Sequence, residues 1–275
     1  MKKLILVIGI CFYVVLTYAQ QDAYNLYEKK DYTTDNGHVL PYRILFPENY
    51  DKTKKYPLIL LLHGSGARGK DNEKQLFERS ENGEKQLRSS SSLFLKDENR
   101  KKYKVIVVVP QCPENSSWSI MRIDTIEQKA TRVFDYNIEP TWPLLATNEL
   151  VRKLIKEEAV DPSRVYITGW SMGGHGTYEF VYRNPDLFAA ALPICGGGDV
   201  VKYDKRVSRT AFWIFHGDID GVVDVKYSRD MVAKLQNLKS EIRYKEFPGV
   251  GHNAWDSAFA EPDFLTWTFS HKKTK

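Results

Sequence analysis

Two short apolar runs stand out in the hydrophobic pattern, Pro57-Leu58-Ile59-Leu60-Leu61-Leu62 and Val105-Ile106-Val107-Val108-Val109. Uninterrupted runs of this length predict strands buried on both faces of a parallel sheet, because a half-exposed strand would alternate. Phe188 to Ile194, Thr210 to Phe215 and Ile242 to Phe247 read as further strands, as does the β-branched stretch beginning at Val165. Val39 to Phe46 alternates and predicts an early strand, with Pro41 marking an edge position because proline cannot donate to a ladder. Leu144 to Glu158 carries Leu145, Leu150, Val151, Leu154 and Ile155 on one side of a helix. Helices are also predicted at Gly174 to Tyr182, Asp224 to Leu238 and the aromatic-rich Ala254 to His271. Tyr24 to Tyr32 reads as a loose lead-in, Lys70 to Arg100 as charged surface helix and loop, and Ile120 to Thr141 as an irregular insertion. Apolar strand alternating with amphipathic helix predicts an α/β fold, one doubly wound and mostly parallel sheet.

The chain has 275 residues, 42% hydrophobic and 27% charged, which suits a single large domain. Residues 1–19 read as a signal peptide. Lys2-Lys3 is a charged start, Leu4 to Leu16 an apolar core too short for a membrane span, and Thr17-Tyr18-Ala19 a cleavage site. The alternative is an uncleaved N-terminal anchor. The expected product is a secreted or periplasmic domain over 20–275, with no stable membrane association after cleavage near Ala19. Its formal charge, +5 for the whole chain less the two leader lysines, is 5 − 2 = +3. Opposite charges are interspersed with no basic stripe, so nucleic acid is not an expected partner. Cys112 and Cys195 both follow predicted strands at one end of the sheet. An oxidising compartment would permit a bridge, and the alternative is two small buried hydrophobes.

Candidate chemistry enters at Gly169-Trp170-Ser171-Met172-Gly173, between a predicted strand and a predicted helix. That context makes G-x-S-x-G a nucleophile elbow. The positions two before and two after the serine nearly touch in such a turn, and glycine removes the Cβ that would clash. The first buried strand runs into His63-Gly64-Ser65-Gly66-Ala67-Arg68-Gly69, which lacks the spacing of a phosphate loop and suits an oxyanion-hole loop. Donors are expected from the N–H of Met172 and from Ser65 or Gly66. A serine hydroxyl needs a base, and the base needs a carboxylate to hold its tautomer. Of six histidines, His252 follows the last strand in a glycine-rich loop and has the right order and context. His63 and His216 read as loop buttresses. Asp220, four residues past His216, is the expected acid, while Asp218 suits a backbone bond within its turn and Asp224 a helix cap. Trp118, Trp170 and His175 are candidates for the substrate pocket.

With Pro110-Gln111-Cys112-Pro113 and His216-Gly217-Asp218-Ile219-Asp220, these motifs resemble an α/β hydrolase across nearly the whole chain beyond the leader. The likeness is to exported bacterial esterases, carbohydrate esterase family 1, feruloyl esterase-like and phospholipase/carboxylesterase-like. It implies Ser171 as nucleophile, Asp220 as acid and His252 as base, with no metal or cofactor, and no H-E-x-x-H zinc pattern is present. No lid-sized apolar stretch occurs, so acyl or feruloyl esters of carbohydrates, small-molecule or oligosaccharide, are expected before lipids. Two alternatives remain: a prolyl-oligopeptidase-like serine peptidase, and a catalytically silent carbohydrate-binding protein stacking sugars on Trp118, Trp142 and Trp255.

Overall fold

The run after Lys55 forms a strand, Tyr56–Leu62, buried along its whole length. The computed structural model describes residues 25–79, 82–126 and 128–273. The expected signal peptide lies outside the described residues. Strands in chain order are β1 (Tyr27–Thr33), β2 (Val39–Leu45), β3 (Tyr56–Leu62), β4 (Phe77–Arg79), β5 (Lys85–Leu87), β6 (Ile106–Pro110), β7 (Met121–Ile126), β8 (Lys129–Phe134), β9 (Val160–Trp170), β10 (Ala190–Ile194), β11 (Ala211–Gly217) and β12 (Ile242–Phe247). Helices are α1 (Ser89–Ser92), α2 (Asp97–Tyr103), α3 (Trp142–Glu157), α4 (Met172–Arg183), α5 (Lys226–Asn237), α6 (Trp255–Phe259) and α7 (Phe264–Ser270).

Eight strands form one sheet in the order β1-β2-β6-β3-β9-β10-β11-β12. β1 and β2 run antiparallel to their neighbours, and the remaining pairings are parallel. Side chains of β3 alternate between two cores. Leu58, Leu60 and Leu62 join α3, α4 and α5 on one face. Ile59 and Leu61 join Leu93, Phe94, Phe259 and Phe264 on the other. Both faces are covered, which is why β3 and β6 read as continuous apolar runs. The doubly wound expectation holds.

Several local expectations change. The lead-in contains β1, which pairs with β2 from Tyr27↔Leu45 to Thr33↔Val39 and becomes the sheet edge. Pro41 therefore sits in the second strand. Its carbonyl accepts from Gln111 N–H at 2.8 Å, just beyond the end of β6, so the position keeps one cross-strand bond although proline has no N–H to give. The irregular insertion is a hairpin, β7–β8, paired from Met121↔Phe134 to Ile126↔Lys129. The C-terminal helix breaks into α6 and α7 around Pro262. Cys112 and Cys195 are buried and free, one in each core. Among the described residues no helix is long and apolar enough to cross a membrane.

The elbow helix packs directly on the strand ends. A Cβ at Gly173 would lie 2.0 Å from the Leu62 carbonyl oxygen, whereas one at Gly221 would meet nothing within 4 Å. Gly173→Ala is expected to destabilise the fold by about 2 kcal/mol or more, with Gly221→Ala staying within about 0.5 kcal/mol of wild type. Paired thermal melts measure this, and equal melting temperatures would refute the close approach.

Candidate active site

β9 ends at Trp170 and α4 begins at Met172, leaving Ser171 alone in the turn. Its φ of 54° and ψ of −117° lie outside the ordinary regions for a side-chain-bearing residue. The turn is held from both sides: Ser171 N–H donates to the Ile194 carbonyl at 2.9 Å and His175 N–H to the Ser171 carbonyl at 3.0 Å. The expected crowding is present, since a Cβ on Gly169 would stand 2.5 Å from the Gly173 carbonyl oxygen.

The loops after β11 and β12 meet in front of Ser171. A Cβ on Gly217 would collide with the Val250 carbonyl at 2.2 Å, so the loops approach backbone to backbone. Asp218 accepts from Gly249 N–H at 2.7 Å and ties the two loops together, a wider reach than the bond within its own turn expected from sequence. Asp224 accepts from Lys226 N–H at 2.8 Å just before α5, whose capping residue is Val225 and not the aspartate expected from sequence.

That packing sets His252 between the other two groups. Its Nδ1 lies 2.8 Å from Asp220 Oδ2 and its Nε2 2.9 Å from Ser171 Oγ. Asp220 is buried, and burial opposes its charge. Hydrogen bonds from His216, His252 and the N–H groups of Val223 and Val222 outweigh that and hold the carboxyl well below the usual carboxylate range. An ionised carboxylate can only accept, so the His252 proton sits on Nδ1 and Nε2 faces the serine hydroxyl as an acceptor. This arrangement can draw the proton from Ser171 Oγ as the oxygen attacks an electrophile.

His216 was legible only as a loop buttress. Its Nε2 lies 2.8 Å from the Val223 carbonyl and 3.2 Å from the Asp220 oxygen that His252 also uses. Its Nδ1 is 2.7 Å from Ser228 Oγ. It thus braces the same Asp220 oxygen that His252 meets.

The loop after β3 contains a 3-10 turn, Ser65–Ala67, with Ser65 and Gly66 exposed. Met172 opens α4, where an N–H has no intrahelical acceptor. The loop is pinned by Gln111 and by His63, the latter expected from sequence as a buttress. Gln111 donates to the Ala67 carbonyl at 3.2 Å and accepts from Asn72 N–H at 2.6 Å. Cys112 N–H donates to His63 Nε2 at 2.9 Å, so the His63 proton sits on Nδ1, 2.7 Å from the Gly64 carbonyl. Burial pushes the His63 pKa down to about 3, which keeps that tautomer neutral.

The tryptophans differ from expectation. Trp118 is fully buried and donates its indole N–H to the His63 carbonyl at 3.1 Å, so it supports the loop from beneath. Trp170 is buried under Gly64, edge-on to Phe259. Neither is open to a pocket, because the Trp118 ring is buried edge-on to His63 and the Trp170 ring is buried under Gly64. Glu179, missed from sequence, clamps the Trp118 segment from α4: it accepts from Ser119 Oγ and Ile120 N–H at 2.7 Å each and from Arg183 at 2.7 Å. Its signal was an acid with an arginine four residues on, along an apolar helix. His175 is nearly buried beneath Phe134 of β8, at 5.1 Å between rings. Its Nδ1 lies 2.9 Å from Gly197 N and 3.1 Å from the Gly197 carbonyl. The buried N–H has the stronger need of a partner, so Nδ1 accepts. Burial lowers the His175 pKa to about 4. Trp255 stands edge-on to His252 at 5.4 Å and is partly exposed.

Cys195, His216 and Asp220 offer ligand atoms within 4.8 Å of one another. The donor set suits a metal poorly. Burial pushes the Cys195 thiol up to about 12, and the Asp220 and His216 atoms are committed to the bonds above.

A family model described as a putative esterase matches residues 36–213. A solved thermostable esterase is 34% identical with a TM-score of 0.78, over 90% of this chain and 64% of that one. Poly(3-hydroxyalkanoate) depolymerase C of Paucimonas lemoignei is 42% identical over 53 residues, 19% of this chain and 13% of that protein. A bifunctional acetylxylan esterase/xylanase of Neocallimastix patriciarum is 30% identical over 90 residues, 30% of this chain and 13% of that protein. The matches therefore span less than two thirds of each relative.

His63 and His175 stay neutral in the folded chain down to about pH 3 and 4, whereas an unfolded histidine protonates near pH 6.5. Unfolding at about pH 5 takes up about two protons through them, so stability is full above pH 6.5 and falls as pH drops toward 4. Denaturant titrations across this window measure the slope. His175→Asn is expected to reduce it by about one proton, and an unchanged slope would overturn the assignment.

Proposed function

Because the chain belongs to the putative esterase family, we propose that it is a serine carboxylic-ester hydrolase working through an acyl-enzyme. Ser171 Oγ attacks the ester carbonyl as His252 Nε2 takes its proton. The carbonyl oxygen becomes an oxyanion that accepts from the N–H of Met172 and from Ser65 or Gly66. Collapse breaks the ester bond, His252 returns the proton to the leaving alcohol, and the acyl group stays on Ser171. Water then gives a proton to His252 and attacks the acyl carbon; collapse frees the acid and restores the serine. Asp220 holds the tautomer and stabilises the imidazolium in both halves. The observation that carries this reading is His252 bridging Ser171 at 2.9 Å and Asp220 at 2.8 Å.

The proposed substrates are acyl or feruloyl esters of carbohydrates. Supporting this is the similarity to an acetylxylan esterase/xylanase over 90 residues. The site of action is proposed to be outside the cytoplasm, after loss of residues 1–19. N-terminal sequencing of the exported chain is expected to begin at about Gln20; recovery of an intact Met1 would count against cleavage.

Turnover of p-nitrophenyl acetate and methyl ferulate tests the chemistry. Ser171→Ala and His252→Ala are each expected to lower kcat by about a thousandfold or more, and Asp220→Asn by about a hundredfold or more. Mutants as active as wild type would end the triad reading, and cleavage of peptides in place of both esters would favour a peptidase.

A further inference from the structure

Arg68 closes the loop that also holds Ser65 and Gly66, and no carboxylate meets its guanidinium among the described residues. Its Nε is buried without a hydrogen-bond partner. The side chain does reach Cys112, but burial pushes that thiol up to about 12, so the sulfur brings no negative charge. A partly buried cation left in this state is costly unless an anion arrives to pair with it.

The same side chain lines a cleft of about 470 Å³, a size that suits a small organic ligand. Ser117 and Thr141 border it on one side, and Met121 and Val133 of the β7–β8 hairpin add apolar wall. Arg122 also reaches the cleft, but Asp124 already pairs with it at 3.0 Å. Glu114, on the rim, is exposed to solvent. The cleft begins two residues beyond Gly66, and the hairpin that walls it also covers His175 through Phe134. None of Ser171, Asp220 and His252 lines it, and Arg68 ties it through the chain to the loop after β3.

We propose that Arg68 binds a carboxylate carried by the substrate, such as the uronate of an acidic oligosaccharide, in this cleft. A planar guanidinium offers two parallel N–H donors that match a carboxylate, and the apolar wall suits a sugar or hydrocarbon skeleton. Anchoring one end of the substrate beside the oxyanion loop orients its ester toward Ser171. The kinetic consequence rests on the ester-hydrolase reading, whereas the binding does not.

The test has two arms. Calorimetric titration of the Ser171→Ala protein with D-glucuronate, D-glucose and inorganic phosphate reads binding. Glucuronate is expected to bind about tenfold or more tighter than glucose, the scale of one charge-assisted hydrogen bond. Arg68→Met on that background removes the difference, and Arg68→Lys retains part of it. In the second arm, wild type is expected to favour an O-acetylated glucuronate over O-acetylated glucose by about tenfold in kcat/KM, with the ratio collapsing in Arg68→Met. A purely structural role for Arg68 would lower both rates together and leave the ratio. Equal binding of glucuronate and glucose overturns the proposal, as does a preference that survives Arg68→Met, and phosphate binding as tight as glucuronate overturns the carboxylate assignment. If Arg68→Met fails to fold, the wild-type comparison and Arg68→Lys decide. Glucuronate binding without any ester turnover keeps this site and removes the esterase reading; ester turnover without a uronate preference does the reverse.

Discussion

Gly173 comes so close to the end of β3 that a Cβ on it would sit 2.0 Å from the Leu62 carbonyl oxygen. Much of the site depends on that approach. It presses the first turn of α4 against the carboxyl ends of β3 and β9, and the chain can make the turn only by putting Ser171 at a φ of 54°. The strain is sustained because the surroundings over-determine it: a backbone bond to Ile194 on one side and the first turn of α4 on the other. The same approach brings Met172, which opens the helix, beside the loop that leaves β3. One steric constraint therefore places the candidate nucleophile and a pair of candidate donor segments together.

Around that turn, the loops are held by buried polar groups, several of them satisfied by partners distant in sequence. His63, Gln111 and Trp118 fasten the loop after β3. Glu179 fastens the segment that carries Trp118. His216 and two backbone N–H groups hold Asp220 ready for His252. Interior hydrogen bonds of this kind are costly to leave half-made, so they fix one geometry where apolar packing alone would tolerate several. A site assembled from the ends of β3, β9, β11 and β12 needs that, because no single element carries two of Ser171, Asp220 and His252. Arg68 is the exception in this neighbourhood, a cation whose surroundings do not complete it.

Much of this was legible in the chain. The parallel strands showed because burial on both faces leaves an uninterrupted apolar run, and the elbow showed because only glycines tolerate that turn. The order of serine, acid and histidine narrowed six histidines to His252. β1 and the β7–β8 hairpin were not legible, since each is half exposed and its polar residues hide the alternation. The break between α6 and α7 was written at Pro262 and overridden in the reading by the aromatic periodicity around it.

Trp118 and Trp170 show where sequence stops. Each lies near the candidate site in the chain, and sequence cannot tell a ring facing substrate from a ring buried beneath the loop. What the sequence by itself determined was the class of sheet, the position of the elbow and the residues able to form a triad, because these follow from local sterics and from periodicity. What only the tertiary structure decided was the company each side chain keeps: His63 beside Cys112, Glu179 under Ser119, Cys112 beside Arg68. Those pairings join residues up to 60 positions apart, and they depend on how strands and helices stack, which no local pattern encodes.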